Sequence, residues 1–138
     1  MDAFFQTYFD FTIIEDNFGY VLEGFWWTIR LSILGGILSL LWGLVLAVLR
    51  QLPGRAFAPV RWLTVAYIDG LRGIPLLLVI FLIYGGLGAL ASEGVIPEAI
   101  GIPRWFGLPS PFWYGTIAIT LTYGAYMAEV YRAGIEAM

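Results

Sequence analysis

Few side chains of this 138-residue chain can do acid–base or nucleophilic chemistry. Histidine and cysteine are both absent, which excludes Ser–His and Cys–His pairs and zinc sites of the usual kind. A pair of carboxylates is the only remaining route to local catalysis. We therefore predict that the chain is not an enzyme and has no catalytic residue, no metal site and no cofactor.

The charged pair with the most suggestive spacing lies near the C-terminus. Glu129 and Arg132 are three residues apart, so they can pair on one face of a helix. In a helix that begins at Pro111, Glu129 lies about 27 Å along the axis. This distance places the pair at the end of the helix, where charged side chains often serve only as anchors.

Three long segments without ionisable side chains must carry the fold. They cover residues 31–49, 73–92 and 105–128, and as helices they are about 28 to 36 Å long, against a hydrocarbon core about 30 Å thick. The chain is 60% hydrophobic and only 12% charged. We predict an all-α, polytopic transmembrane helix bundle in a single domain, with spans at about 25–49, 73–92 and 111–130.

The charges are sorted by segment, which predicts an orientation in the membrane. Residues 1–23 hold five acids and no base, namely Asp2, Asp10, Glu15, Asp16 and Glu23. Residues 50–72 hold four arginines and one acid, namely Arg50, Arg55, Arg61, Arg72 and Asp69. Arginine-rich loops stay on the cytoplasmic side. We therefore expect the N-terminus outside and the C-terminus inside.

The arginine-rich connector also has the apolar spacing of a helix over about residues 59–72, through Val60, Leu63, Tyr67, Ile68 and Leu71. We expect an interfacial helix. It either bends into the second span, weakened at Gly73 and Pro75, or ends there, with Pro75 starting a new helix after a turn. The sequence leaves both interpretations open.

Two stripes of small residues repeat at four-residue intervals. The first span carries Gly35, Ser39, Gly43 and Ala47, and the third carries Thr116, Thr120, Gly124 and Ala128. The first stripe predicts a helix-packing seam. The second is mildly polar, so it either packs against another helix or lines a path for a small polar solute.

Three segments resemble the permease subunits of bacterial ATP-binding cassette importers for polar amino acids. Residues 24–50 read GFWWTIRLSILGGILSLLWGLVLAVLR, and residues 67–85 read YIDGLRGIPLLLVIFLIYG. The second is similar to the family's aromatic, acid, x-x-R-G-x-P-L-L pattern. Residues 122–137 read TYGAYMAEVYRAGIEA, which is close to the family's A-Y-x-A-E-x-x-R-A-G-I-x-A segment and is the most specific of the three.

The resemblance implies roles for the residues that match these motifs. They are candidate gating or structural positions: Arg72, Pro75, Tyr126, Glu129, Arg132 and Gly134. It also implies a multi-pass protein of the bacterial cytoplasmic (inner) membrane, surrounded by lipid, that forms a path together with a second, identical or related permease subunit. The other expected partners are a cytoplasmic ATPase dimer, an extracytoplasmic solute-binding protein and a polar amino acid, with no nucleic acid.

The sequence departs from the family at Met138, where members continue into a cytoplasmic E-A-A-x-x-x-G loop and further spans. We therefore expect a partial permease without the ATPase-coupling loop. The alternative is a small, non-transporting membrane protein that packs against other helices as a structural or regulatory subunit. Composition and small-residue stripes fit both, whereas the motif at residues 122–137 favours the importer.

Overall fold

The computed structural model describes residues 11–137, which form five α-helices and, over that range, no strand. The helices are α1 (Phe11–Arg50), α2 (Ala58–Gly73), α3 (Leu76–Ser92), α4 (Glu98–Gly101) and α5 (Ser110–Glu136), with a short 3-10 turn at Trp105–Gly107. The prediction of an all-α chain is confirmed. Asp2 and Asp10, which contribute to the predicted orientation, lie outside the described residues.

Helix α1 begins well before the predicted first span. It has 40 residues, because no proline occurs between Phe11 and Arg50 to interrupt it. Its length is about 60 Å, roughly twice the thickness of the hydrocarbon core. The acid-rich segment before the predicted first span is therefore helical from Phe11 onward.

By length and composition, one helix is long and apolar enough to cross a membrane, over Glu15–Arg50. A second candidate arises when α2 and α3, bent by 110° at their junction, are counted as one broken span. The three predicted spans and their orientation remain a prediction.

The chain divides into two units, Met1–Ser32 and Ile33–Met138. In the first, the Arg30 guanidinium carbon lies 5.1 Å from the Trp26 ring centroid and 5.2 Å from that of Trp27. Such cation–π contacts hold a positive charge beside aromatic faces. Arg30 is thus provided with aromatic neighbours on its own helix.

In the second unit, α2 and α3 are separate helices. Ile74 is extended, with φ −100° and ψ 127°, and Pro75 caps α3 with φ −56° and ψ 135°. A proline disfavours helical geometry at the preceding residue and donates no backbone hydrogen bond. Of the two interpretations of this junction, the structure has the one in which Pro75 starts a new helix.

The core of the second unit lies where α1, α2 and α5 meet. Leu46, Ile68, Ala125 and Ala128 are buried there, and Trp42, Tyr67 and Leu71 pack against them. The Trp42 indole N–H donates to the Tyr67 hydroxyl at 2.9 Å, and that hydroxyl donates to the Leu121 carbonyl at 3.0 Å. One tyrosine oxygen therefore links all three helices.

The buried face of α2 contains Thr64 and Ile68. Leu63 is 72% exposed, whereas Thr64 is 6% exposed and Ile68 is completely buried. The Thr64 hydroxyl donates to the Val60 carbonyl at 2.8 Å, which satisfies its polar group within the helix. Thr64 can therefore take the inward position on α2.

The segment between α3 and α5 packs against the N-terminal end of α5. This is the end of the helix that lies away from Glu129. The Tyr114 hydroxyl donates to the Gly101 carbonyl at 2.7 Å, and the Trp113 indole donates to the Trp105 carbonyl at 3.1 Å. Trp113 and Tyr114 are 8% and 4% exposed. The segment between α3 and α5 therefore helps to bury these two aromatic side chains.

Candidate functional site

Four charged side chains gather around Glu129. Arg50 Nη1 hydrogen-bonds to Glu129 Oε1, and Arg132 Nε lies 2.8 Å from Oε2. Arg72 Nη1 lies 4.0 Å from Oε1, and Arg132 Nη1 lies 2.5 Å from Glu136 Oε2. We call Arg50, Arg72, Glu129, Arg132 and Glu136 the ion-pair cluster.

The ends of three helices position the ion-pair cluster. Arg50 is the last residue of α1, and Arg72 lies in the last turn of α2. Glu129 and Arg132 lie near the end of α5. Because helix C-termini carry partial negative charge, arginines at these ends are favourable. One carboxylate, with a side chain only 17% exposed, thus holds the ends of α1, α2 and α5 together.

The charges of the ion-pair cluster do not cancel, since three arginines face two glutamates. Arg50 and Arg132 both hydrogen-bond to Glu129, whereas Arg72 reaches it only at 4.0 Å. Arg72 is also the most exposed of the three, at 40% of its side chain. It is therefore the least neutralised arginine of the cluster.

Four of the six motif positions lie close together. The Tyr126 hydroxyl donates to the Arg72 carbonyl at 3.0 Å, and the Arg72 guanidinium carbon lies 5.6 Å from the Tyr126 ring centroid. Glu129 and Arg132 complete the group. Pro75 lies at the α2–α3 junction, and Gly134 has open space around it. A gating role for these residues stays a prediction.

Sequence reasoning missed Arg50 and the pairing of Arg72 with Glu129. Arg50 is 79 residues before Glu129, so no helical spacing connects them. The charge sorting contained a usable signal, because it places the ends of the first and third spans on the same side of the membrane. An acid and nearby arginines on one side of the membrane can be expected to pair.

The first small-residue stripe lies buried against α5. The Ser39 hydroxyl is 2.6 Å from the Gly35 carbonyl and 3.2 Å from the Ile119 carbonyl. A Cβ built on Gly43 would lie 2.9 Å from the Gly124 carbonyl oxygen. Ala47 is 2% exposed. The backbones of α1 and α5 approach each other closely along this stripe, as small residues permit.

The second stripe lies on α5 and faces α1. A Cβ built on Gly124 would lie 2.6 Å from the Trp42 ring, and Ala128 is 2% exposed. Thr116 is buried and donates to the Phe112 carbonyl at 2.8 Å, whereas the Thr120 hydroxyl is buried without a hydrogen-bond partner in the described part of the chain. Helix α1 packs against this face at Gly124, whereas Thr116 and Thr120 line a cavity of about 160 Å³. Whether the stripe serves packing or a path stays a prediction.

The residues of the ion-pair cluster connect helices through electrostatic contacts. In residues 11–137 no group of three or more His, Cys, Asp or Glu side chains could hold a metal ion. The cluster joins three helix ends through ion pairs that can form and break without covalent chemistry. An all-α chain with one helix long and apolar enough to cross a membrane fits the class of helical membrane proteins.

Comparison with known proteins gives the relatives of the chain. It is 33% identical over 129 residues to the probable glutamine ABC transporter permease protein GlnM of Bacillus subtilis, covering 92% of this chain and 50% of the relative. It is 29% identical over 130 residues to the glutamate/aspartate import permease protein GltK of Escherichia coli O6:H1, covering 94% and 54%. It is 29% identical over 129 residues to the arginine transport system permease protein ArtQ of Bacillus subtilis, covering 94% and 51%.

These matches confirm the resemblance described above: the chain is homologous to amino-acid ABC transporter permeases over most of its length. Their names are those of permeases and not of enzymes, and they support the permease interpretation over a non-transporting packing protein. The chain spans about half the length of the curated relatives it matches. No family model and no solved structure matches it.

Proposed function

We propose that the chain is part of the transmembrane subunit of an ATP-driven importer for a polar amino acid. The observation that carries this proposal is the match of 92% to 94% of the chain to permeases named for glutamine, glutamate/aspartate and arginine. These solutes share an α-amino acid core and differ in side-chain charge. The proposal therefore names the class of cargo and not one amino acid.

In the proposed arrangement, α1, α3 and α5 cross the bacterial cytoplasmic membrane, with the N-terminus outside. The ion-pair cluster then lies at the cytoplasmic ends of α1 and α5, in agreement with the preference of arginine for that side. The buried Trp113 and Tyr114 lie at the other end of α5. Helix α2, which turns by 110° into α3, lies along the cytoplasmic interface.

The proposed partners are those of an importer: a second permease subunit, a cytoplasmic ATPase dimer and an extracytoplasmic solute-binding protein. Transport proceeds by alternating access, in which ATP binding and hydrolysis bias two states of the permease. The ion-pair cluster suits such a change, because it links the ends of three helices through contacts that can exchange. Arg72, Tyr126, Glu129 and Arg132 are the proposed gating residues.

The arrangement in the membrane predicts which positions an external reagent can reach. The chain contains no cysteine, so single cysteines can be introduced without background labelling. In intact spheroplasts, G94C between α3 and α4 should react with a membrane-impermeant maleimide, whereas G54C between α1 and α2 should react only after permeabilisation. Equal labelling of both positions before permeabilisation would contradict the proposed orientation.

The proposed transport function predicts a loss of uptake. Disruption of the gene in its host should reduce energy-dependent uptake of at least one among radiolabelled glutamine, glutamate, aspartate and arginine, because the permease supplies the path. A labelled sugar, taken up by a different system, is the control and should enter at the same rate. Unchanged uptake of all four amino acids, in a host without a second importer for them, would overturn the proposal.

A further inference from the structure

Two clefts adjoin at the N-terminal end of α5, the end that lies away from the ion-pair cluster. The polar cleft, of about 300 Å³, is lined by charged side chains at Glu98 and Arg104 and by the Trp105 ring. The apolar cleft is the cavity of about 160 Å³ that Thr116 and Thr120 line. Trp105 lines this second cleft too, so one indole ring separates a charged space from an uncharged one.

The polar cleft has one positive and one negative side chain that do not neutralise each other. Within residues 11–137, the Arg104 guanidinium and the Glu98 carboxylate form no ion pair and no hydrogen bond. The Trp105 indole donates to the Ala99 carbonyl at 3.0 Å, which holds the two charged residues on neighbouring segments. A guanidinium suits phosphate oxygens, and a carboxylate accepts from an ammonium group. The cleft therefore matches a ligand that carries both a phosphate and an ammonium group.

The apolar cleft has no charged residue in its lining. It lies between Leu38 of α1 and the side chains of Trp113, Ile117 and Leu121 of α5. From Trp113 to Leu121 the helix rises about 12 Å, and the hydrocarbon of one leaflet is about 15 Å thick, half of the bilayer core. In the proposed arrangement the apolar cleft therefore runs from the outer membrane surface into the outer leaflet, and its walls suit an acyl chain.

A strained turn presents an uncovered aromatic side chain beside the apolar cleft. Phe106 has φ 56° and ψ 25°, a left-handed conformation that bulky residues rarely adopt, and it is 91% exposed. Its ring centroid lies 6.1 Å from that of Trp113. The Trp105 carbonyl accepts from the Trp113 indole and from the Leu108 amide, both at 3.1 Å, and these bonds hold the turn. Such strain is typical of functional sites, and lipid chains would remove this ring from water.

We propose that the two clefts together bind one phosphatidylethanolamine molecule of the outer leaflet. Its phosphate lies at Arg104, its ammonium group at Glu98 and one acyl chain between Leu38 and Leu121. The choice of the bilayer as the source of the ligand rests on the proposed function, which places these clefts in the membrane. A small free zwitterion would leave the apolar cleft empty, and a lipid with an anionic headgroup would leave the Glu98 carboxylate without a partner.

The test is native mass spectrometry of the purified 138-residue chain in detergent, with equal amounts of phosphatidylethanolamine and phosphatidylglycerol of identical acyl chains. The unmodified chain should bind phosphatidylethanolamine more strongly. E98Q should weaken binding of this lipid alone by about threefold, whereas R104Q should weaken binding of both lipids by a similar factor, because both carry a phosphate. L38W, which fills the apolar cleft, should weaken binding of both by about tenfold.

Each variant has a matched control outside both clefts. E93Q and R55Q each remove an exposed charge, and L44W enlarges an exposed leucine of α1. All three should leave the binding of both lipids unchanged, and circular dichroism should show the same helix content in every variant. Absence of bound lipid, equal binding of the two lipids, a preference for phosphatidylglycerol, or equal effects of E98Q and E93Q would each overturn the proposal.

Further outcomes separate this inference from its alternatives. O-phosphoethanolamine has the same headgroup without acyl chains, and at equal concentration it should not displace the lipid. If it does, the apolar cleft takes no part in binding and the proposal is overturned. If lipid selection depends on Glu98 and Arg104 as expected but gene disruption leaves uptake unchanged, the lipid site stands and the transport function fails. Reduced uptake on disruption without lipid selection overturns the site alone.

Discussion

Replacement of Gly43 by leucine should destabilise the second unit more than any other single change considered. A Cβ at this position would lie 2.5 Å from the Met127 Cβ, 2.9 Å from the Gly124 carbonyl oxygen and 3.1 Å from the Ala128 amide nitrogen. Two of these neighbours are backbone atoms of α5, which cannot rotate away. The helices must separate, and we expect a loss of about 3 kcal/mol in the free energy of unfolding.

The measurement is reversible unfolding of the detergent-solubilised chain, followed by tryptophan fluorescence. The matched control is G36L in the same helix, because a Cβ on Gly36 meets nothing within 4 Å. Leucine forms helices more readily than glycine, so G36L should be neutral or slightly stabilising. If G43L and G36L unfold at the same denaturant concentration, close contact between α1 and α5 at Gly43 is contradicted.

Replacement of Glu129 by glutamine should cause the second largest loss in the free energy of unfolding. It removes the carboxylate that Arg50 and Arg132 bind and that Arg72 approaches, and so leaves three positive charges without their shared partner. Breaking a buried ion pair from one side costs about 3 to 5 kcal/mol. Because the Glu129 side chain is 17% exposed, we expect a smaller loss, about 2 kcal/mol, in the free energy of unfolding.

E136Q is the matched control, since the Glu136 side chain is 63% exposed and, within residues 11–137, pairs only with Arg132. An exposed pair of this kind is worth less than about 1 kcal/mol. The loss in the free energy of unfolding in the double variant R50Q/E129Q should be smaller than the sum of the losses in the two single variants, because the double variant removes both members of one pair. Additive costs would show that Arg50 and Glu129 do not interact.

Much of the helical architecture could be predicted from the sequence, because long segments without charges leave a helix as the main way to satisfy the backbone in an apolar environment. The interfacial helix predicted at 59–72 corresponds to α2 at Ala58–Gly73, since Pro59 and Pro75 restrict both ends. The residue at which α1 begins was harder to predict from the sequence. Its acidic residues indicate exposure, but exposure does not prevent a helix from continuing to Phe11.

The ion-pair cluster could be predicted only in part. The Glu129–Arg132 pair follows from helical spacing, whereas the pairing of Glu129 with Arg50 depends on how α1 and α5 pack. The inward position of Thr64 instead of Leu63 depends on packing in the same way, because a threonine can satisfy its hydroxyl within its own helix. The 110° turn between α2 and α3 is likewise permitted, but not specified, by a proline.

The order of the cluster residues along the chain has a consequence for biosynthesis. Arg50 emerges from the ribosome 79 residues before Glu129, which corresponds to about 4 to 16 s at ordinary rates of synthesis. During this interval the arginines at the ends of α1 and α2 are already present, and arginine-rich loops are retained in the cytoplasm. In the proposed orientation, insertion of the first helix is directed before the Glu129 carboxylate arrives, and the late ion pairs then join helix ends that already lie on one side of the membrane.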